Sequence, residues 1–560
     1  MDDHRKWLFA APAMAFVAAL LVFPLGWTIF LSLTDAEGSV RAESDFVGLR
    51  NYLDVLTDTE RFWPAVGRTA MFTIVALLFE VVLGMAIALL LWRPFKGERW
   101  VRVAILLPLV ATPVAVGMMW RLIFDPNIGL ANQLLGWFGI GPQPWLAGQH
   151  TALPTTILID VWQWTPMVVL ILLAGLTSLS EEPQEAARID GASTWQRFRH
   201  VTLPLLTPTL TVAVLLRGID ALKTFDILYA TKGRGGGSFH EVETLNVYAY
   251  GLSFDYNEYG VSSTVLILFF LIIIGAMWAP DRAAQGGEAM RARPAYRIFR
   301  ATALTVVVLV LVAPLVWMVA ASLKTNVDIY DPAKALSFSP TLDNYGKVLQ
   351  QANYVEFILN SLWVAFAATV ASLILGVPAA YSMSRFNMKK SALVVLMARI
   401  IPGVSLLVPW FYVFSNLRMV GGFGVLIISH MFVSLPLVVY IMMGYFDSLP
   451  TELEEAALVD GLTHVGAFRR ITLPLSVPGI ATSGILSFIF SWNNFMFALV
   501  LSDADTKTLP VAIFDFVGYA SIDWGGLMAA TTVVTLPIMV IALFVQKYVV
   551  SGLTAGATKG

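Results

Sequence analysis

Long apolar runs constrain this chain more than any other feature. A bilayer core is crossed by about 20 apolar residues in helical form, and twelve runs of that kind occur among the 560 residues. The runs are 8–33, 67–92, 101–124, 153–176, 207–231, 261–279, 300–322, 357–383, 391–415, 424–446, 478–501 and 527–549. A backbone in lipid must satisfy its own hydrogen bonds, which helices do. The sequence therefore predicts an all-α membrane protein.

Composition supports this class and excludes others. The chain is 57% hydrophobic and 13% charged, whereas soluble domains average about 25% charged residues. A net charge of −2 argues against nucleic acid as a partner, and the lack of cysteine excludes disulfides, thiolate metal sites and cysteine nucleophiles. The first apolar run exceeds the core of a signal peptide, so we expect it to be retained as a transmembrane helix.

The distribution of Lys and Arg predicts the orientation of the runs. With the N-terminus inside, the inner connections are richer in basic residues than the outer ones. Both termini are then cytoplasmic. Six runs in each half give the halves the same orientation, as a parallel pseudo-two-fold repeat. We predict a first transmembrane domain over 1–279, a cytoplasmic linker over 280–299 and a second transmembrane domain over 300–560.

One polar segment occurs twice in this apolar chain. Residues 182–208 read EPQEAARIDGASTWQRFRHVTLPLLTP, and residues 452–478 read ELEEAALVDGLTHVGAFRRITLPLSVP. The two copies align without a gap at an offset of 270 residues, and about half of the aligned positions are identical. Both copies fall between the fourth and fifth runs of their half, on the predicted cytoplasmic side.

The chemistry of the segment predicts a helix, a tight turn and a second short helix. Acidic residues open the first helix, which suits the positive end of a helix dipole, and Gly191 and Gly461 permit the turn. Pro204 and Pro474 then lead into the next span. Small residues beside the turn allow another protein to approach closely. The alternative from the residues alone is an ordinary interfacial helix pair retained after duplication of the halves.

The segment resembles the EAA loop of ABC importer permeases, E-A-A-x-x-D-G-A-x-x-x-x-x-F-x-x-[IV]-x-L-P. The first copy matches every fixed position, and the second departs at Leu462, where the family usually has Ala. The resemblance implies that each copy is a cytoplasmic coupling helix which docks on an ATPase subunit. The implied coupling residues are Glu185, Ala186, Ala187, Asp190 and Gly191 in the first copy, and Glu455, Ala456, Ala457, Asp460 and Gly461 in the second.

Other stretches resemble the carbohydrate-uptake branch of these permeases. Residues 215–231 resemble the fifth span of the first permease partner, and residues 490–500 and the final GLTAGATKG resemble the second partner. The family's TGGGP segment appears here as Lys232-Gly233-Arg234-Gly235-Gly236, which is a departure. The resemblance implies two such subunits fused in one chain of the bacterial inner membrane, importing a sugar or sugar alcohol. It also implies two ATP-binding-cassette subunits inside, and a periplasmic or lipid-anchored sugar-binding protein outside.

The chain itself carries no sign of an ATPase or another enzyme. It has no G-x-x-x-x-G-K-[ST] sequence to hold phosphates, and no His-rich metal cluster or nucleophile–base pair stands out. We read 233–237 as a flexible loop. We expect no cofactor or metal in this chain, and ATP and Mg in the partner ATPase.

Polar residues within the fifth run of each half are candidates for a substrate path, because such groups are costly in a membrane. The candidates are Asp220, Lys223, Thr224 and Phe225 in the first half, and Trp492, Asn493 and Asn494 in the second. Amides, carboxylates and aromatic rings suit a polyhydroxylated ligand. The alternatives are an Asp220–Lys223 or Arg217–Asp220 ion pair that holds the bundle, and hydrogen bonds between helices. Asn360, Tyr381 and Arg399 are weaker candidates.

A proton-coupled secondary transporter of the major-facilitator kind is the main alternative function. It also has two six-span halves joined by a basic loop. The loop WRPFKGERW after the second run lacks that family's G-x-x-x-D-R pattern, and such a transporter has no reason to carry two matching segments after its fourth spans.

Overall fold

A computed structural model describes residues 5–39, 41–180, 182–277, 295–350, 354–518 and 521–557. These residues form helices joined by turns, and within these ranges the only β pairing is two isolated bridges, Thr34 with Phe46 and Val517 with Ile522. The predicted all-α class is confirmed.

Helices α1 to α13 belong to the first half of the sequence. They are α1 (Arg5–Ser32), α2 (Arg50–Thr57), α3 (Phe62–Leu91), α4 (Glu98–Val110), α5 (Pro113–Ile123), α6 (Leu130–Trp137), α7 (Ala152–Ser178), α8 (Glu182–Ile189), α9 (Thr194–Arg197), α10 (Leu203–Leu222), α11 (Asp226–Lys232), α12 (Leu245–Phe254) and α13 (Tyr259–Met277). Tight single turns occupy Trp145–Ala147 and Arg234–Gly236, and a wider π-helical turn occupies Phe198–Thr202.

Helices α14 to α27 follow in the second half. They are α14 (Ala295–Ser322), α15 (Asn326–Tyr330), α16 (Asp343–Gln350), α17 (Tyr354–Arg385), α18 (Lys389–Met397), α19 (Val404–Asn416), α20 (Phe423–Ser448), α21 (Glu452–Val459), α22 (His464–Ala467), α23 (Leu473–Leu475), α24 (Val477–Trp492), α25 (Met496–Leu501), α26 (Leu509–Ala512) and α27 (Trp524–Ala557). Single turns occupy Pro332–Lys334 and Ile513–Phe516, and a second π-helical turn occupies Phe468–Thr472.

The helices long and apolar enough to cross a membrane are fewer than the twelve predicted runs. Nine pass by length and composition among the described residues, and two bent pairs raise the number to eleven. The predicted run 391–415 is the one that fails, because it is divided into α18 and α19. Its Pro402 cannot donate a backbone hydrogen bond and is followed by Gly403, so one continuous helix is not formed there.

The third run of the first half is also broken at a proline. Helices α4 and α5 meet at an angle of 94°, and Pro113 opens α5. A proline at the first position of a helix loses no hydrogen bond, because that N–H would have no partner within the helix. Pro113 therefore begins α5 directly after the bend that ends α4.

The described chain divides into two compact units that do not coincide with its sequence halves. The larger unit contains residues 32–355 and 510–543, and the smaller unit contains 1–31, 356–509 and 544–559. The first helix of each half therefore belongs with the other half. The predicted linker 280–299 lies mostly outside the described residues, and the predicted division of the chain there stays a prediction.

Hydrogen bonds fix these exchanged helices within their units. In the larger unit, Trp162 Nε1 donates to the Val310 carbonyl of α14 at 3.0 Å. In the smaller unit, Trp410 Nε1 donates to the Leu20 carbonyl of α1 at 3.1 Å. A tryptophan indole thus holds the exchanged helix in each unit.

A close helix crossing recurs in both units. A Cβ at Gly84 of α3 would lie 2.7 Å from Val168 Cγ1 of α7, and a Cβ at Gly376 of α17 would lie 2.8 Å from Val438 Cγ1 of α20. Glycine lets the helix backbones approach, as is common in membrane bundles. The crossing also aligns α3 with α17, since Val168 and Val438 are 270 residues apart.

Candidate functional site

The first copy of the repeated segment contains the predicted helix stop. Helix α8 is followed by Gly191, which has a φ of +82°. The Gly191 N–H donates to the Arg188 carbonyl at 3.2 Å, and the Ala192 N–H donates to the Ala187 carbonyl at 2.9 Å. This pair of bonds is the Schellman motif, in which a left-handed residue closes a helix.

The second copy repeats this geometry. Gly461 follows α21 with a φ of +88°. Its N–H donates to the Leu458 carbonyl at 3.1 Å, and the Leu462 N–H donates to the Ala457 carbonyl at 3.0 Å. A Cβ at either glycine would meet no atom within 4 Å. The glycines are therefore required by backbone conformation, and the space around them is open.

A short second helix follows each stop and is capped at its start. The Ser193 N–H donates to Gln196 Oε1 at 2.8 Å, and the Gly466 N–H donates to Thr463 Oγ1 at 3.1 Å. Both bonds belong to the capping-box pattern that begins a helix. The predicted helix–turn–helix is thus present in both copies.

Each copy then passes through the π-helical turn before its fifth span. The Leu203 N–H donates to the Phe198 carbonyl, and the Leu473 N–H donates to the Phe468 carbonyl, each five residues back. Such widened turns are rare and often occur at functional sites. Their recurrence at matching positions ties each segment to the following span with the same geometry.

The exposed face of the segment includes most of the predicted coupling residues. Glu185, Ala186, Asp190 and Gly191 are exposed, and so are their counterparts 455, 456, 460 and 461, whereas Ala187 is half-buried and Ala457 is buried. Sequence reasoning missed an apolar residue on this face. Ile189 is 85% exposed and its counterpart Val459 is 87% exposed. An apolar residue directly before Asp-Gly in both copies was the available signal.

The two copies are held in place differently, the first by a hydrogen bond within the segment and the second by bonds to α17. In the first, Gln184 Nε2 donates to Thr202 Oγ1 at 2.8 Å. In the second, Glu454 accepts from Tyr381 Oη at 2.8 Å and from Arg385 Nε at 2.9 Å. Tyr381, a weaker substrate-path candidate, is thus bonded to the second segment, and its place on the path stays a prediction.

Asn360 and Arg399, the other weak candidates, also make contacts within their unit. Asn360 Nδ2 donates to the carbonyls of Asp505 at 2.8 Å and Lys507 at 3.2 Å. The Arg399 guanidinium lies 5.9 Å from the centre of the Phe490 ring. Asn360 therefore secures a loop.

The fifth span of each unit is interrupted at the same place. Helix α10 ends at Leu222 and α11 begins at Asp226, while α24 ends at Trp492 and α25 begins at Met496. Interrupted helices in membranes leave carbonyl groups without helical partners, and such breaks recur at transport sites. The predicted path residues lie at or beside these breaks.

The side chains at the breaks show the same burial in both units. Lys223 and Thr224 are half-exposed, as are Asn493 and Asn494. The aromatic candidates are covered, since Phe225 is 4% exposed and Trp492 is 2% exposed. Polar groups therefore reach the surface of each unit at the break, and the neighbouring rings are buried.

Local bonds hold the breaks in shape. Lys223 Nζ lies 3.7 Å from Asp220 Oδ1, which confirms one of the two ion pairs considered. Asn246 Nδ2 donates to the Lys223 carbonyl at 2.6 Å, and Asn494 Oδ1 accepts from the Phe497 N–H at 3.3 Å. A carbonyl released by the first break and an amide at the start of α25 are thereby satisfied.

Arg217 pairs with other residues than predicted. It is 1% exposed, its Nη2 donates to Glu80 Oε1 at 2.8 Å, and it also bonds Asp160. The guanidinium lies 5.2 Å from the centre of the Trp164 ring. The alternative Arg217–Asp220 pair is therefore wrong. We call Glu80, Asp160 and Arg217 the buried triad.

The buried triad links three spans, α3, α7 and α10. The acids are each 0% exposed, and each is an isolated acid within a predicted apolar run, a signal that sequence reasoning did not use. Helix α7 leads into the first repeated segment, and α10 leads out of it. The triad therefore connects the two helices that flank that segment.

The smaller unit carries neutral residues at the matching positions. The repeat offset pairs Asp160 with His430 and Arg217 with Ser487, and the shared glycine crossing pairs Glu80 with Ser372. All three are buried, and His430 Nδ1 is 2.8 Å from Ser491 Oγ. The two units therefore share the helix arrangement at these three positions but differ in the charge of the side chains.

The described residues hold no group of three or more His, Cys, Asp or Glu side chains arranged to bind a metal ion.

Asp58 lies outside the spans, and its pKa is lower than usual. Partial burial acts to raise this pKa, but hydrogen bonds from the N–H groups of Arg61, Glu60 and Phe62 and from the Tyr248 hydroxyl outweigh the burial and lower it. Asp58 is thus a carboxylate that binds the turn before α3 and the first N–H group of that helix, at Phe62.

Comparison with known proteins gives one family for both halves. The family model described as "Binding-protein-dependent transport system inner membrane component" matches residues 80–325 and again 372–555. The trehalose/maltose transport system permease protein MalF of Thermococcus litoralis is 37% identical over 269 residues, which is 48% of this chain and 89% of the relative.

A second permease and a solved structure are also similar. The trehalose/maltose transport system permease protein MalG of Thermococcus litoralis is 35% identical over 254 residues, covering 44% of this chain and 91% of the relative. A chain in the crystal structure of a bacterial alginate ABC transporter, in complex with an alginate pentasaccharide-bound periplasmic protein, has 20% identity and a TM-score of 0.42. It covers 50% of this chain and 94% of that chain.

Proposed function

The chain belongs to the family of binding-protein-dependent transport system inner membrane components, and on that premise we propose that it forms the membrane pathway of one ATP-driven importer for a sugar or sugar alcohol. The observation that carries the proposal is the twin segment, with its two matching helix stops and exposed faces. Relatives that are trehalose/maltose permeases support the carbohydrate class. The family match gives no support to the proton-coupled alternative.

In this proposal each repeated segment is the coupling helix for one ATP-binding-cassette subunit. The exposed Ile189 or Val459 enters an apolar pocket of that subunit, and the acids on the same face pair with its basic residues. The open space around Gly191 and Gly461 allows the partner to approach the backbone. ATP and Mg are bound and used by the partners, and this chain is not an enzyme.

Movement of a coupling helix reaches the membrane through the fifth span. Helix α10 begins immediately after the π-helical turn of the first segment, and α24 follows that of the second after the short α23. ATP binding by the partners would tilt these spans, so that the pathway opens alternately to either side. In this scheme α18 and α19 together cross the membrane once, so that each half supplies six spans. Both termini are cytoplasmic and the membrane is the bacterial inner membrane.

The substrate passes the breaks in the fifth spans. Lys223 and Thr224 in the larger unit, and Asn493 and Asn494 in the smaller unit, offer donors and acceptors to hydroxyl groups. Asp220 holds the Lys223 ammonium in place, at 3.7 Å from Oδ1. A binding protein, periplasmic or lipid-anchored, delivers the sugar to the outer side.

Uptake by proteoliposomes tests this function. The chain is reconstituted with its ATPase and binding protein, and sugar uptake is measured with internal ATP and with a proton gradient alone. We expect ATP-dependent uptake that Gly191→Arg plus Gly461→Arg abolishes, since both sites are exposed and a larger side chain blocks the partner. The matched control is Arg418→Gln, an exposed change away from both segments. Uptake by the double variant at the wild-type rate, or uptake driven by protons alone, contradicts the proposal.

A further inference from the structure

A polar cleft lies at the end of the larger unit opposite the first repeated segment. Helix α5 ends there, as does α11, whereas the repeated segment lies at the start of α10. The cleft has a volume of about 400 Å³, and its lining includes Arg121, Lys232 and Arg234. Small-molecule sites occupy about 300–1,000 Å³, so the cleft can hold a small ligand.

Among the three cations of this cleft, Arg121 is the one whose N–H groups are available to a ligand. It lies in the last turn of α5 and is half-buried. Its guanidinium makes no hydrogen bond or ion pair with any residue that the structure describes. Asp125, which also lines the cleft, acts on Arg121 electrostatically, but its Oδ1 already accepts N–H groups from Asn127 at 2.9 Å and Ile128 at 3.1 Å.

The other two cations are held on the cleft wall by acids behind it. Lys232 Nζ donates to the Leu146 carbonyl at 2.9 Å and to Glu241 Oε1 at 3.2 Å. Arg234 Nε lies 3.3 Å from Asp255 Oδ1. Neither acid lines the cleft.

The glycine-rich turn is built around Lys232. A Cβ at Gly237, where φ is +104°, would lie 2.5 Å from Lys232 Cε and 2.0 Å from Glu241 Oε2. Only glycine therefore lets the backbone pass this ion pair. The segment read as a flexible loop from sequence is folded closely over a charged pair. It is also where this chain places Lys and Arg in a family segment that is usually neutral.

We propose that this cleft binds the anionic group of an acidic carbohydrate, such as a sugar carboxylate, before the sugar enters the pathway. The inference rests on the proposed import function and narrows its substrate class. The Arg121 guanidinium offers a planar pair of donors that matches a carboxylate. Lys232 and Arg234 also line the cleft, each paired with an acid that does not line it. The exposed Ser238 hydroxyl is available to the sugar.

Calorimetric titration of the purified full chain tests the proposal with two probes that differ in one group, D-glucuronate and D-glucose. We expect glucuronate to bind saturably and more weakly as salt is raised, because charges that are partly exposed are screened. Glucose should bind at least about 10-fold more weakly, and Arg121→Gln should lower glucuronate affinity by about 10-fold to 100-fold, as expected for charge-assisted bonds. Arg121→Lys should retain part of the affinity.

Arg50→Gln is the matched control, since it removes an equal charge from an exposed site of the same unit. Equal binding of both probes overturns the proposal, and so does glucuronate affinity that Arg121→Gln and Arg50→Gln leave alike. If Arg121→Gln weakens only the salt-dependent docking of the binding protein, the cleft serves that protein and the proposal is wrong. The titration measures binding and requires no transport. If the wild-type chain shows no ATP-driven uptake in proteoliposomes, the proposed import function is refuted, whatever the titration shows.

Discussion

Removal of Arg217 is the most severe single change that the structure defines. Arg217→Met preserves much of the side-chain volume but leaves Glu80 and Asp160 in the membrane interior without their cation. Breaking a buried ion pair by removal of one partner costs about 3–5 kcal/mol. Two hydrogen bonds to charged groups, at about 1.5–3 kcal/mol each, give a similar range. Arg217 is 1% exposed and both acids are 0% exposed, so the values for buried ion pairs apply to this site.

A triple variant tests whether the single variant is unstable because two acids lack a cation or because the Arg217 side chain is missing. Arg217→Met with Glu80→Gln and Asp160→Asn removes all three charges together. Replacing a whole buried ionic group by neutral residues of similar volume is often neutral or stabilising. The smaller unit, with Ser372, His430 and Ser487 at these positions, is a natural example of such neutrality. We therefore expect the triple variant to lie within about 1–2 kcal/mol of the wild type.

The free energy of unfolding in mixed micelles, measured by titration with a denaturing detergent, is the assay. We expect the single variant to lose about 3–5 kcal/mol or to fail to accumulate in the membrane. Arg217→Lys should fall between, because one ammonium cannot match the two-sided contact of a guanidinium. A single variant as stable as the wild type, or a triple variant as unstable as the single, refutes the reasoning.

Three further predictions concern the ends of helices. Gly191→Ala should weaken the stop of α8 by about 1–2 kcal/mol, because φ is +82°, and should lower ATPase affinity in a pull-down. Arg385→Gln should speed amide hydrogen exchange in α21, since the guanidinium holds Glu454 and also donates to the Phe446 carbonyl at 2.9 Å. Asp58→Asn should lower stability near neutral pH by about 1 kcal/mol, because both carboxylate oxygens accept N–H groups and the amide has only one acceptor oxygen. A carboxylate with a lowered pKa stabilises the fold above its unfolded pKa near ~3.9, and that contribution is lost as the pH falls through the folded pKa.

Each of these predictions has a control. Gly275→Ala makes the same substitution where a Cβ meets nothing within 4 Å and φ is not positive, so equal effects at Gly191 and Gly275 contradict the backbone argument. Arg418→Gln should leave exchange in α21 unchanged. If stability of the Asp58→Asn variant falls with acid as steeply as that of the wild type, Asp58 is not the titrating group.

The sequence predicted the features that depend on local chemistry. Apolar runs located most spans because lipid imposes a fixed length. The Asp-Gly pair predicted both helix stops, because a left-handed residue after a helix favours glycine. The prediction of one continuous span over 391–415 was wrong, because it relied on mean apolar character and took no account of the break at Pro402.

Features that depend on distant pairing were not accessible from one sequence. The partner of Arg217 at Glu80 is 137 residues away, whereas the pattern suggested a neighbour three residues along the helix. The exchange of α1 and α14 between units also leaves no local trace, because an apolar helix can pack on many surfaces. The breaks in the fifth spans could be placed only by the structure, although the polar residues that form them were visible.

The number of ATPase subunits bound per chain tests the central claim most directly. Ile189→Asp and Val459→Asp change the most exposed apolar residue of each segment, at 85% and 87% exposure, so the fold should be retained. Native mass spectrometry of the purified complex should find two ATPase subunits on the wild-type chain, one on either single variant and none on the double variant. Two subunits on the double variant, or one on the wild type, would contradict the assignment of the repeated segments as the two docking sites.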